Sequence, residues 1–166
     1  MLESIRNFFN YLLGKRSEVA EMGVNDVYMA KVILDIHRKR THKTREMVPL
    51  HSLHPIHPLD REETKIATAK RAETLRANKT NILAEKQMTF DRLNEYLPSI
   101  SWIKVVQDTP ESYLAYEGNG RLGALHEVFT REDNIAIEVE LYHFRNPKKI
   151  VRRLNRLRRM NGALPQ

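Results

Sequence analysis

From Ile135 to Phe144 the chain alternates, with Ile135, Ile137, Val139 and Leu141 on one side and Glu138, Glu140 and Tyr142 on the other. A period of two is the signature of a strand that lays one face on a core and the other toward water. A helix cannot gather such a set on one side, so the chain must build a sheet. Trp102–Val106 is rich in branched and aromatic residues and predicts a second strand, closed by a turn at Asp108-Thr109-Pro110 and followed by a third over Ser112–Tyr116. Met47-Val48-Pro49-Leu50 fits a short edge strand, because Pro49 has no N–H to give to a central ladder. The stretch after it, with Pro55 and Pro58, is expected to be a loop.

Helical spacing fills the remainder. Asn25-Asp26 suits a helix N-terminus and Arg38, Lys39 and Arg40 suit its end, which predicts a helix over residues 26–40. Ile66, Ala69, Ala72 and Leu75 recur every three residues after a capping Asp60, for a helix running from Glu62 to about Asn78. Leu83, Phe90, Leu93 and Leu97 suggest another, stopped by Pro98. Leu122, Leu125, Val128 and Phe129 share one helical face, and Pro147 opens a last helix with Ile150, Val151, Leu154 and Leu157 as its apolar stripe. The expected class is α+β, a mixed α/β fold. Thr41–Arg45 is polar and without period, and is expected to link an N-terminal helical extension, residues 1–45, to a domain over residues 46–146. A basic C-terminal helix and tail, residues 147–166, follow.

Composition narrows the chemistry. The absence of cysteine excludes disulfides, thiolate zinc sites and cysteine nucleophiles. With 41% hydrophobic and 30% charged residues the chain is expected to be a folded soluble protein. No apolar run approaches the roughly 20 residues that span a bilayer. Leu2, Ile5, Phe8, Phe9, Leu12 and Leu13 fall at helical spacing beside Arg6, Lys15 and Arg16. Such a helix can pack on the domain or a partner, act in targeting, or contact a membrane. The expected compartment is the cytoplasm, with the mitochondrial matrix as the alternative.

Between the strand ending at Tyr116 and the helix opening near Arg121 lies Glu117-Gly118-Asn119-Gly120. Glycines there let the backbone turn sharply and approach a ligand closely. The following helix end presents unpaired N–H groups and the positive end of its dipole, and Arg121 adds a bidentate donor. Gly118, Asn119, Gly120 and Arg121 are therefore candidate phosphate-binding residues. Glu117 is a candidate catalytic carboxylate or magnesium ligand, or a simple turn acceptor. If the segment is only a tight turn, Arg121 should pair with an acid inside the domain.

Fic-type nucleotidyl transferases carry Gly-Asn-Gly-Arg after a His-Pro-Phe triplet, but Tyr113, Leu114 and Ala115 stand at those positions and supply no base. The order of elements over roughly residues 47–144, with Gly118, Arg121 and Ala124 at the spacing Gly-x-x-Arg-x-x-Ala, resembles the ParB/sulfiredoxin-like superfamily. That resemblance implies a small domain whose strand-to-helix loop holds the phosphates of ATP or CTP, with magnesium and phosphotransfer as the attendant chemistry. Sulfiredoxin activity itself is excluded, since it needs a cysteine in this loop. The alternative is a non-enzymatic basic accessory subunit that docks into a larger protein or nucleoprotein assembly.

The net charge of +7 is concentrated at one end: from Arg145 to Arg159 there are eight Lys or Arg and no acid. Lys148, Lys149, Arg152, Arg153 and Arg156 are candidates for binding a polyanion or an acidic partner, either nucleic acid or protein. With no aromatic residue after Phe144, this tail alone is expected to hold phosphates and not bases. His51, His54 and His57 are spaced by three, but the prolines around them predict an extended Pro/His-rich loop, and no metal site is expected. His126 and His143 read as partly buried structural residues.

Overall fold

The alternating segment becomes β6, Ala136–Phe144, in a computed structural model that describes residues 24–59 and 61–163. Along one edge β6 pairs antiparallel with β1, Arg40–Pro49, from Arg40↔Phe144 to Pro49↔Ala136. Along the other it receives two parallel partners in turn: β3, Gln87–Met88, at its start and β4, Lys104–Thr109, at Glu140 and Leu141. A two-residue turn joins β4 to antiparallel β5, Ser112–Glu117, and β2, Leu53–Pro55, closes the far edge parallel to β5. The result is a six-stranded mixed sheet of order β1-β6-β4-β5-β2, and the fold is mixed α/β.

Thr41–Arg45 corrects the expectation of a linker. A strand at a sheet edge needs a ladder on one side only, so its side chains can stay in water and carry no alternation. Residues 40–43 are exposed, Thr44 and Glu46 are half-buried, and only Val48 of β1 is fully buried. The preceding helix α1, Val24–Lys39, runs straight into β1 without a connector, close to the limits expected for it. The expected edge strand at Met47–Leu50 is the last part of β1. The loop expected after it contains β2, which is too short and too proline-rich to show a pattern.

One sheet face is covered by α2, Glu62–Ala77, α3, Lys79–Glu85, α4, Phe90–Tyr96, and α5, Asn119–Val128. Their Leu75, Ile82, Leu93, Leu122 and Leu125 close over Val105, Ile137 and Val139 in the larger core. Truncating one such leucine to alanine costs about 2–5 kcal/mol. The single helix expected from Leu83 to Leu97 is two. Lys86 turns left-handed at φ 57, ending α3 and freeing Gln87–Met88 to pair with β6. The capping Asp60 and the N-terminal amphipathic segment lie outside the described residues.

The second face holds α1 and α6, Pro147–Met160. Val32 and Ile36 meet Ile150, Leu154 and Leu157 over Val106, Leu114 and Tyr142. Asp35 of α1 ties the two helices by pairing with Arg153, and it also meets Lys39 at 3.1 Å. This cover alters the alternation of β6: Glu140 and Tyr142, expected toward water, are buried. Glu140 accepts from Lys43 Nζ at 2.6 Å and from the Tyr142 hydroxyl at 2.8 Å, which satisfies the charge it hides. Among the described residues no helix is long and apolar enough to cross a membrane.

Candidate functional site

β5 lies between β4 and β2, so its carboxyl end is fixed on both sides where Glu117 leaves the sheet. Gly118 then turns at φ 85, and a Cβ there would stand 2.9 Å from Ile103 Cγ1 and 3.1 Å from Ile103 Cα. Both the dihedral and the contact require glycine. The Leu122 N–H donates to the Gly118 carbonyl at 3.0 Å to close the first turn of α5, and Gly118 at the N-cap has no side chain to cap this helix end. The expected strand-to-helix turn is therefore present at Glu117–Arg121.

The turn forms one wall of a cleft of about 330 Å³ whose other walls include His57, Thr64, Arg71 and Ser99. His57 Nδ1–H donates to the Pro58 carbonyl at 3.2 Å, which leaves Nε2 to accept from the Asn119 amide at 3.4 Å. Asn119 is 5% exposed, and its Oδ1 is buried without a hydrogen-bond partner among the described residues. Glu117 is engaged: Lys104 Nζ donates to its Oε2 at 2.7 Å. It is the one carboxylate among the described lining residues.

Arg121 and Arg71 carry the charge of this cleft. Arg121 is 5% exposed and donates to the Ser101 carbonyl and, at 3.4 Å, to Asn94 Oδ1. Both of these partners are neutral, and among the described residues no acid pairs with it. Burial, and then the positive charge of Arg71, push the Arg121 guanidinium below its ordinary range, while Glu117 acts the other way. Arg71 comes from α2, which packs along α5, and its Nη1 stands over Gly120. It makes no ion pair or hydrogen bond among the described residues. Two arginines thus line one cleft, and among the described residues no carboxylate is bound to either.

Glu117, Gly118, Asn119, Gly120 and Arg121 all reach this cleft, whereas Lys148, Lys149, Arg152, Arg153 and Arg156 lie on α6. Of these five candidates for binding a polyanion or an acidic partner, Arg153 is already engaged, since its guanidinium pairs with Asp35 of α1. Arg158 is buried and donates to Asn155 Oδ1 at 3.3 Å. Arg156 lies over the Tyr28 ring at 5.3 Å. Lys148, Lys149 and Arg152 are exposed. His51 stacks on His126 at 5.2 Å and donates to the Phe129 carbonyl, whereas His57 contacts Pro58 and Asn119. Among the described residues no three His, Asp or Glu side chains are placed to hold a metal ion.

Arg71, Thr64 and Lys104 were missed in the sequence. Arg71 follows Lys70 on a polar helix face, with no local signal to separate it from a solvated cation. No family model, curated protein or solved structure matches this chain.

Proposed function

We propose that the cleft at Gly118–Arg121 binds the phosphate of a nucleotide, with ATP and CTP as the candidate ligands. The observation that carries this reading is the pair Arg71 and Arg121, two cations at one helix N-terminus with no carboxylate among the described residues bound to either. A buried charge without a counter-charge is costly, and an anion on the helix end relieves it. Gly120 keeps the backbone bare beneath Arg71, so a phosphate can approach the first turn of α5. The placement of Gly118, Arg121 and Ala124 at a strand-to-helix turn supports the phosphate role that the resemblance to ParB/sulfiredoxin-like domains implies.

Binding is favoured over phosphotransfer. Glu117, the carboxylate that would hold magnesium or accept a proton, is tied to Lys104. Equilibrium dialysis with labelled ATP, CTP and orthophosphate, with and without magnesium, tests the reading. Saturable binding of a nucleotide that orthophosphate competes away is the expected result, and its absence at millimolar ligand contradicts the proposal.

A further inference from the structure

A second surface, on the opposite face of the sheet, has its own chemistry. β4 pairs with β6 only at Lys104↔Glu140 and Val105↔Leu141. Beyond these residues β4 stays with β5 and β6 stays with β1, so the two strands part like a wedge. The gap is a groove of about 540 Å³ with Val106, Pro110, Leu141 and Phe144 on its walls and Val151 of α6 across from them. At the same groove His42 and His143 stack with centroids 4.3 Å apart and planes within 3°. Asp108 also lines it, held by the Asn155 amide at 3.5 Å.

Thr41 and Phe144 belong both to this groove and to a neighbouring hollow of about 680 Å³. The hollow is lined by Lys39, Arg40, Arg145 and Lys149 and, among the described residues, by no acid. From it, exposed cations continue along α6 through Arg152, Arg156 and Arg159, over a helix of 14 residues or about 21 Å. Arg145, Lys149, Arg152, Arg156 and Arg159 have no ion-pair partner among the described residues. An aromatic slot therefore opens beside a linear cationic track. The track alone could hold only phosphates, but the fold supplies the rings from β1 and β6.

We propose that this surface binds single-stranded nucleic acid, with backbone phosphates on Arg145, Lys149, Arg152 and Arg156 and an unstacked base in the groove beside the His42–His143 stack. A charged groove with stacking rings is the general design of single-strand binders. An acidic peptide would neutralise the cations and leave the slot unused. A membrane surface would need outward apolar side chains, and α6 turns Ile150, Leu154 and Leu157 inward. A duplex keeps its bases stacked and away from the slot. Asp108 can accept from an exocyclic amino group.

Fluorescence anisotropy with the whole chain and a labelled single strand of about 12 nucleotides tests this, against an abasic strand of equal length, the matching duplex, an acidic peptide and phosphatidylserine vesicles. The single strand is expected to bind at least about tenfold tighter than the abasic strand, the value of one stacked base. Its log K should fall with log salt at a slope of about −3, for four phosphates engaged. Lys149→Glu with Arg152→Glu should weaken it at least about tenfold, and both sites are exposed, so the helix is kept. His42→Ala should weaken the base-bearing strand and leave the abasic strand unchanged. Phosphate binding at Arg71 and Arg121 should be untouched in all variants, which separates this surface from the cleft. Equal affinity for the abasic strand, stronger binding to the peptide, vesicles or duplex, or full retention in folded Lys149→Glu/Arg152→Glu or Lys149→Gln/Arg152→Gln protein overturns the proposal.

Discussion

Arg71 reaches from α2 over the first turn of α5, where its Nη1 lies 3.1 Å from the position that a Cβ on Gly120 would take. The guanidinium is held against bare backbone, next to the buried cation of Arg121. Charge and access at the cleft depend on this one approach.

Gly120→Ala should separate binding from folding. The added methyl displaces the end of a flexible side chain, which is cheap, and alanine is the better helix former by about 1 kcal/mol. Thermal stability should hold within that margin while phosphate affinity falls several-fold. Gly118→Ala should do the reverse, because its φ of 85 and the backbone of Ile103 admit no side chain. A loss of at least about 1–2 kcal/mol in denaturant unfolding is expected there.

Glu117→Gln should strengthen anion binding. The substitution removes the one carboxylate among the described lining residues and releases Lys104, now held at 2.7 Å, to face the ligand. Calorimetric titration with orthophosphate at neutral pH should show a lower Kd than the unchanged protein. A higher Kd would mean that Glu117 contributes to binding, through a bound cation or a ligand hydroxyl.

The order of strand, glycine turn and helix at Ser112–Val128 was legible because each part has a local signature: a short, mostly apolar run after the Asp108-Thr109-Pro110 turn, two glycines and a 3.6-residue period. Arg71 was not, because what recruits it is the packing of α2 on α5, between segments distant in sequence. The first part of β1, Arg40–Glu46, was missed for another reason, while its end at Met47–Pro49 was expected as an edge strand. Its outer side faces water, so Thr41–Arg45 lacks the apolar residues that reveal a strand, and only its ladder to β6 defines it. Glu140 and Tyr142 were read as exposed since nothing in β6 itself announces α1 and α6 on the second face. Lys43 and Tyr142 explain how a carboxylate can remain there.

Glu140→Ala should cost about 2–4 kcal/mol, discounted because Lys43 is itself half in water. The Tyr142 hydroxyl loses its acceptor inside the core, so most of the loss should persist in the double variant with Lys43→Met. Full recovery in that double variant would place the cost in the lysine instead. Urea unfolding of the four proteins of the cycle measures it.

Acid should destabilise the fold in two windows. Burial lowers the imidazoles of His37, His54, His126 and His143 below their ordinary 6.5. The unfolded chain then takes up protons before the native state does, so stability is whole above pH 6.5 and drains away as pH falls through the lowered values. Burial opposes ionisation of Glu140, but hydrogen bonds from Lys43 and Tyr142 and the charges of Lys43 and Lys104 outweigh it and hold it below 4.5. Its share of stability is present above pH 4.5 and is lost as pH falls through that lowered value. Urea midpoints from pH 8 to pH 3 should fall first below 6.5 and again below 4.5. His126→Gln should flatten the first limb.

The central claim, a phosphate seated between Arg71 and Arg121 at the start of α5, is tested most directly by thermal unfolding of the protein and of Arg71→Ala with orthophosphate, ATP and CTP. A ligand that binds only the folded state raises Tm by mass action, about 5–10 °C at a hundredfold excess over Kd. The unchanged protein should show this rise with at least one nucleotide, and Arg71→Ala, equally stable without ligand, should lose most of it. An unmoved Tm with every ligand at millimolar concentration, or an equal rise in Arg71→Ala, would contradict the account.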